Sequence, residues 1–142
     1  VRVNPFRRLP AALWRWGAVG VYALAIFVAS SQSRIPSLPG RPSDKLLHAA
    51  AYAVLSLLVI AAAAKGRWRA VTGRVVLASA VACVLYGVSD ELHQRFVPGR
   101  DASVGDVAAD AVGAFGAAGA AYAWSIISRG SSRDDALRTP PR

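Results

Sequence analysis

Residues 46–67 read LLHAAAYAVLSLLVIAAAAKGR. From Leu46 to Ala64 the only titratable side chains are His48 and Tyr52, after which Lys65 and Arg67 end the run. At about 1.5 Å of rise per residue this length crosses a hydrocarbon core of about 30 Å, and a pair of bases at its end is the usual anchor at a bilayer surface. The segment therefore predicts a transmembrane helix over about 44–64. Three further stretches follow the same logic. Trp16 to Ser33 carries no charge and predicts a helix over about 14–32. Val75 to Ser89 is shorter than the usual span of about 17 to 25 residues, so it reaches full length, about 71–94, by snorkelling Arg74 at one end and using polar Asp90 at the other. Ala111 to Ser128 is dominated by Ala and Gly, a weakly hydrophobic run that suits close packing against other helices, and it predicts a central helix over about 103–128.

The expected fold is all-α, a four-helix transmembrane bundle in one membrane domain over 1–128. The polar, Pro-ended tail, 129–142, reads as disordered. Composition agrees: the 142 residues are 54% hydrophobic and 18% charged, with a mean hydropathy of +0.36, too apolar for an ordinary soluble domain. The net charge of +9 does not indicate nucleic acid, because the bases flank apolar runs and form no stripe with interleaved aromatics. Arg2, Arg7, Arg8 and Arg15, then Lys65, Arg67, Arg69 and Arg74, then Arg129, Arg133, Arg138 and Arg142 outnumber Arg34, Arg41, Lys45, Arg95 and Arg100 on the other side. That bias predicts both termini in the cytoplasm of a bacterial plasma membrane. A cleaved signal peptide competes for helix one, since Arg2, Arg7 and Arg8 precede it and Ala29, Ser30 and Ser31 are small. Its uncharged run, however, exceeds a signal core of about 7 to 15 residues. Cys83 is a lone cysteine within an apolar run and reads as a packing residue.

With this topology the polar residues gather at the non-cytoplasmic helix ends. Asp44, His48 and Tyr52 are spaced i, i+4, i+8, one line about 12 Å long that descends from the interface into the membrane. Lys45 starts the same helix on another face, as a phosphate contact or an interface anchor. Residues 86–106, YGVSDELHQRFVPGRDASVGD, place Tyr86, Asp90 and Gln94 on one face with His93 beside Asp90, able to meet one partner. Glu91 and Arg95 make an i, i+4 pair of opposite charge. Pro98-Gly99 predicts a tight turn in which Gly supplies positive φ. Ser103 followed by Asp106 fits a capping box. Asp110 lies one turn beyond Asp106, and because an Asp at a helix centre costs about 2.5–3.5 kcal/mol it wants a partner, with Arg100, Lys45 and His48 as candidates. Ala109, Gly113, Ala117 and Ala121, and also Gly116 with Ala120, form small-xxx-small stripes that let another helix approach, including one of a second copy.

The pattern Asp44-Lys45-x-x-His48 with Tyr52, then Asp90-Glu91-x-His93-Gln94-x-Phe96-Val97-Pro98-Gly99-Arg100 with Ser103, Asp106 and Gly113, resembles the VanZ-like family of small bacterial membrane proteins over about residues 43 to 120. This chain has Asp110 where Asn is expected of the family, and Ala49 where an aromatic often follows the first His. The resemblance implies a cell-envelope role, the family name deriving from a member that raises tolerance to teicoplanin; it implies no reaction.

Three functions fit these residues. In the favoured one, the set Asp44, Lys45, His48, Asp90, Glu91, His93, Gln94, Arg100, Asp106 and Asp110 binds a membrane lipid or a polyprenyl-phosphate-linked cell-wall precursor, with the bases on the anion and the acids orienting them. No cofactor and no metal is expected. In the second, a membrane enzyme uses His48 or His93 with a carboxylate as an acid/base pair, or a metal among Asp90, His93, His48 and Asp106, although no nucleophile is evident. In the third, the acids form a proton relay, which the nearly apolar helices below Tyr52 and Asp110 leave incomplete.

Overall fold

A computed structural model describes residues 11–33 and 43–138, with side chains to residue 130. The order is α1 (Ala11–Ser30), α2 (Asp44–Ala63), α3 (Gly73–Gln94) and α4 (Val104–Arg138), with a 3-10 turn, Trp68–Ala70, between α2 and α3. No strand occurs among the described residues, and four helices are long and apolar enough to cross a membrane. Arg2, Arg7, Arg8, Arg34, Arg41 and Arg142 lie outside the described residues.

The starts of α2 and α3 follow from local chemistry. Ser43 caps α2 by accepting from the Leu46 N–H at 3.2 Å, and Thr72 caps α3 by accepting from the Val75 N–H at 3.3 Å, each satisfying a donor that the first helical turn leaves orphaned. Gly66 and Gly99 both have positive φ, 68° and 78°, so the Pro98-Gly99 turn forms as its residues predict and reverses the chain into α4.

Packing inverts the pattern of a soluble bundle. Leu13, Trp14, Val21 and Leu24 of α1 and Val112, Phe115 and Ile127 of α4 are exposed, while Ala80, Ala114, Ala118, Ser56 and Ser125 are wholly buried. In lipid, large apolar groups lose nothing by facing outward, and helices gain by bringing small residues and hydroxyls together. The closest approach is between α2 and α4. A Cβ on Gly113 would run into the Ala49 carbonyl, and one residue on, Ser56 Oγ donates to Ala114 O at 3.0 Å. Helix α4 is central, flanked by α2 and α3, while α1 is peripheral and buries only Ser30.

One expectation needs correction. The inward stripe of α4 is Gly113, Ala114, Ala118 and Ala121, whereas Gly116 and Ala120 face outward; helical rotation relative to α2, which spacing alone does not fix, decides between them. Helix α4 runs to Arg138. Its distal part begins with a clip: Arg129 donates from Nη2 to Val71 O at 3.0 Å and to Ser125 Oγ at 2.8 Å, and from Nε to Ser125 O at 2.9 Å. No proline falls between Val104 and Thr139.

Candidate functional site

The amino-terminal ends of α2 and α4 meet the carboxy-terminal ends of α1 and α3, and the ionisable residues converge there. Position 110 decides the arrangement. Asp110 is fully buried, and its Oδ1 lies 3.0 Å from His48 Nδ1; of the three partners its burial called for, the structure selects His48. With Asp110 as carboxylate, Nδ1–H donates to it and the remaining lone pair of the ring is on Nε2. One turn toward the interface, Lys45 Nζ lies 3.3 Å from Asp106 Oδ1, with the lysine side chain 63% exposed and the aspartate 7%. Gly105 makes room for that ammonium, since a Cβ there would lie 2.6 Å from Nζ.

The capping box expected of Ser103 and Asp106 forms only in half. Ser103 Oγ accepts from the Gly105 N–H at 3.1 Å, but the Ser103 N–H donates to Glu91 Oε2 at 2.8 Å. Glu91, from α3, thus does what the third helical residue does in a capping box. This has two consequences. Glu91 is buried on the turn into α4 rather than paired with the exposed Arg95, and Asp106 is released to face Lys45.

On the face of α3 bearing Tyr86, Asp90 and Gln94, the first two bond to α1 and Gln94 to Asp90 of its own helix, while the Tyr86 ring also meets Tyr52 of α2. Tyr86 Oη donates to Ala23 O at 2.7 Å, Ser30 Oγ donates to Asp90 Oδ1 at 2.6 Å, and Gln94 Nε2 donates to Asp90 Oδ2 at 3.2 Å. His93 turns the same way: its Nε2 shares a hydrogen bond of 3.0 Å with Ser31 Oγ, and its ring packs on Phe27 with centroids 4.4 Å apart. Ser30 and Ser31 read in the sequence only as small residues near a helix end; nothing in their spacing points to Asp90 or His93, 60 and 62 residues away.

A cavity of about 270 Å³ opens between these elements, lined by Asp44, His48, Tyr52, Ser30, Asp90 and Arg100 among apolar neighbours. Tyr52 is 1% exposed, and its hydroxyl, like Arg100 Nε and Asp110 Oδ2, is buried without a hydrogen-bond partner among the described residues. Asp44, His48 and Asp106 each offer one ligand atom within 4.8 Å of the others. The sequence-predicted residues therefore divide. Asp44, His48, Asp90 and Arg100 line the cavity, with Gln94 supporting Asp90, Asp110 supporting His48, and Asp106 with Lys45 at the neighbouring helix start. Glu91 belongs to a separate cleft of about 150 Å³ with Arg95 and Ser103, and His93 belongs to the α1–α3 contact, so a metal set combining His93 with His48 is not what the fold assembles. A larger cavity of about 480 Å³ lies at the opposite end of the bundle, lined by Val54, Leu58, Ile60 and Val71, with Arg67 its only ionisable residue.

No curated protein and no solved structure matches the chain. The family model described as VanZ/LLP1 matches residues 7–127, a range that contains every cavity residue and all but the distal part of α4. This four-helix membrane protein belongs to the VanZ/LLP1 family.

Proposed function

We propose that the chain binds the anionic head group of an envelope lipid or lipid-linked cell-wall precursor in the cavity between α1, α2 and α3, and through it modulates the response of a bacterial cell to envelope stress or glycopeptide antibiotics. The observation that carries this reading is the cavity itself. It opens at the helix ends and holds Arg100 and His48 beside apolar Ile26, Leu47 and Ala51, and two of its lining residues, Tyr52 and Arg100, have a buried hydroxyl and Nε without partners among the described residues. A head group with an acyl or prenyl chain matches both halves of that lining, since a guanidinium is suited to phosphate by its fork of donors. Both termini lie in the cytoplasm in this proposal, which puts the cavity at the outer leaflet of the plasma membrane.

Native mass spectrometry of the protein, gently extracted from its own membrane, tests it. Wild type should retain a polyprenyl-phosphate or anionic lipid mass that is reduced in Arg100→Ala and His48→Ala. Equal retention by all three would sink the reading.

One observation favours a second reading, a membrane enzyme acting on such a lipid: the 3.0 Å pairing of His48 with buried Asp110, the geometry in which a carboxylate orients a histidine base. Incubation with a lipid-linked precursor decides it, because an enzyme consumes the precursor and stops doing so in His48→Ala, whereas a binder leaves its mass unchanged.

A further inference from the structure

Bases alone do not make this end of the bundle a good anion site. Asp44 and Asp90 line the cavity with Arg100, while Asp106, with Lys45 on it, and Asp110, with His48 on it, stand immediately behind. An anionic ligand entering here lies beside these carboxylates, and a cation entering with it would offset their repulsion.

We infer that Asp44, His48 and Asp106 form a binding site for a divalent transition-metal cation of the Zn²⁺ or Mn²⁺ class. The three residues present ligand atoms within 4.8 Å of one another. Asp44 and His48 come from successive turns of one α2 face, and Asp106 comes from the first turn of α4. Mixed imidazole and carboxylate donors suit Zn²⁺ and Mn²⁺ better than Mg²⁺ or Ca²⁺, which favour all-oxygen sites.

Two observations outside the triad support this. Asp110, fully buried, holds His48 Nδ1 at 3.0 Å, the outer-shell carboxylate that fixes the tautomer and orientation of a metal-ligating histidine. Tyr52, 1% exposed, is a lining residue of the cavity that Asp44 and His48 share, and its hydroxyl has no hydrogen-bond partner among the described residues, so an acceptor is still lacking beside the triad. The Lys45 ammonium on Asp106 is the internal competitor: a positive charge already sits 3.3 Å from that carboxylate, on a side chain exposed enough to withdraw into water.

The cation site rests on this geometry alone. Its role, bridging the carboxylates to an anionic head group, rests on the function proposed above. Lys45→Gln separates the two, because it removes both the competitor for the cation and a base for the lipid.

The test is titration of Zn²⁺ and Mn²⁺ into chelator-treated, detergent-purified full-length chain, with helical circular dichroism and size-exclusion profiles as folding controls. One saturable ion per chain is expected. Affinity should fall by at least tenfold in Asp44→Asn and Asp106→Asn, fall by about 10- to 100-fold in Asp110→Asn as outer-shell changes do, and rise in Lys45→Gln. Should Asp106→Asn not fold, Asp44→Asn, which changes a half-buried residue at the start of α2, decides alone. Absence of saturable binding by wild type, or binding untouched by Asp44→Asn, overturns the cation site. Lipid retention measured in chelator judges the head-group reading separately: loss of lipid from Lys45→Gln without any metal effect leaves that reading standing and removes the cation.

Discussion

The two ends of the bundle are closed by opposite means. At the α2–α3 end, Arg129 gives its donors to Val71 O, Ser125 O and Ser125 Oγ; charge is spent on backbone carbonyls and a hydroxyl, and the neighbouring cavity is almost wholly apolar. At the other end, Asp110 meets His48 and Asp106 meets Lys45, while Tyr52 Oη and Arg100 Nε have no partner among the described residues. The first end satisfies most of its polar groups internally, as stability in a membrane demands, with Arg15 Nε the buried atom there that lacks a partner among the described residues. The second leaves several polar groups buried and unsatisfied, Tyr52 Oη, Glu91 Oε1, Arg100 Nε and Asp110 Oδ2 among the described residues, at about 1–3 kcal/mol for each such group, and it is there that the proposed ligand would supply partners.

The difference can be broken by substitution, and the largest effect should come where both ends depend on one contact. Gly113→Val forces a side chain into the Ala49 carbonyl at the α2–α4 crossing. Because backbone cannot give way as a flexible side chain does, folded protein should be lost, which size-exclusion yield after extraction would show. Arg129→Gln comes next. It removes a charged donor from Val71 O and should lower stability by about 1.5–3 kcal/mol, measured by thermal unfolding in detergent, without altering bound lipid. Glu91→Ala takes the acceptor from the Ser103 N–H and should cost about 1 kcal/mol, as other lost caps do, with Glu91→Gln recovering most of it. Arg100→Gln should have the smallest effect on stability, within about 0.5 kcal/mol, since no hydrogen bond of its Nε is broken, yet it should reduce lipid retention. A large stability loss from Arg100→Gln would erase the contrast between the two ends.

How much of this was legible in the sequence depends on whether one helix or two are needed to fix it. Spans, turns and the gathering of polar residues at one end are properties of single segments. Runs such as 46–64, the Pro98-Gly99 turn and the Asp44–His48–Tyr52 line therefore came through. Pairings between helices depend on rotation and crossing angle. That is why the sequence offered three partners for Asp110 without choosing, matched Glu91 with Arg95 instead of Ser103, placed His93 with the site instead of against Phe27 and Ser31, and credited Gly116 and Ala120 with packing that Ala114 and Ala118 perform. The Arg129 clip was hidden for the same reason, since its acceptor Val71 O belongs to another segment.

The central claim is that ligand enters the polar cavity and not the larger apolar one. Photo-crosslinking with a diazirine-bearing polyprenyl phosphate, followed by peptide mapping of the adducts, compares the two cavities in one experiment. Adducts concentrated within residues 44–52 and 86–100, and reduced in Arg100→Gln, are the predicted result. Adducts concentrated within residues 54–71, indifferent to Arg100 and His48, would place the lipid at the opposite end and contradict it.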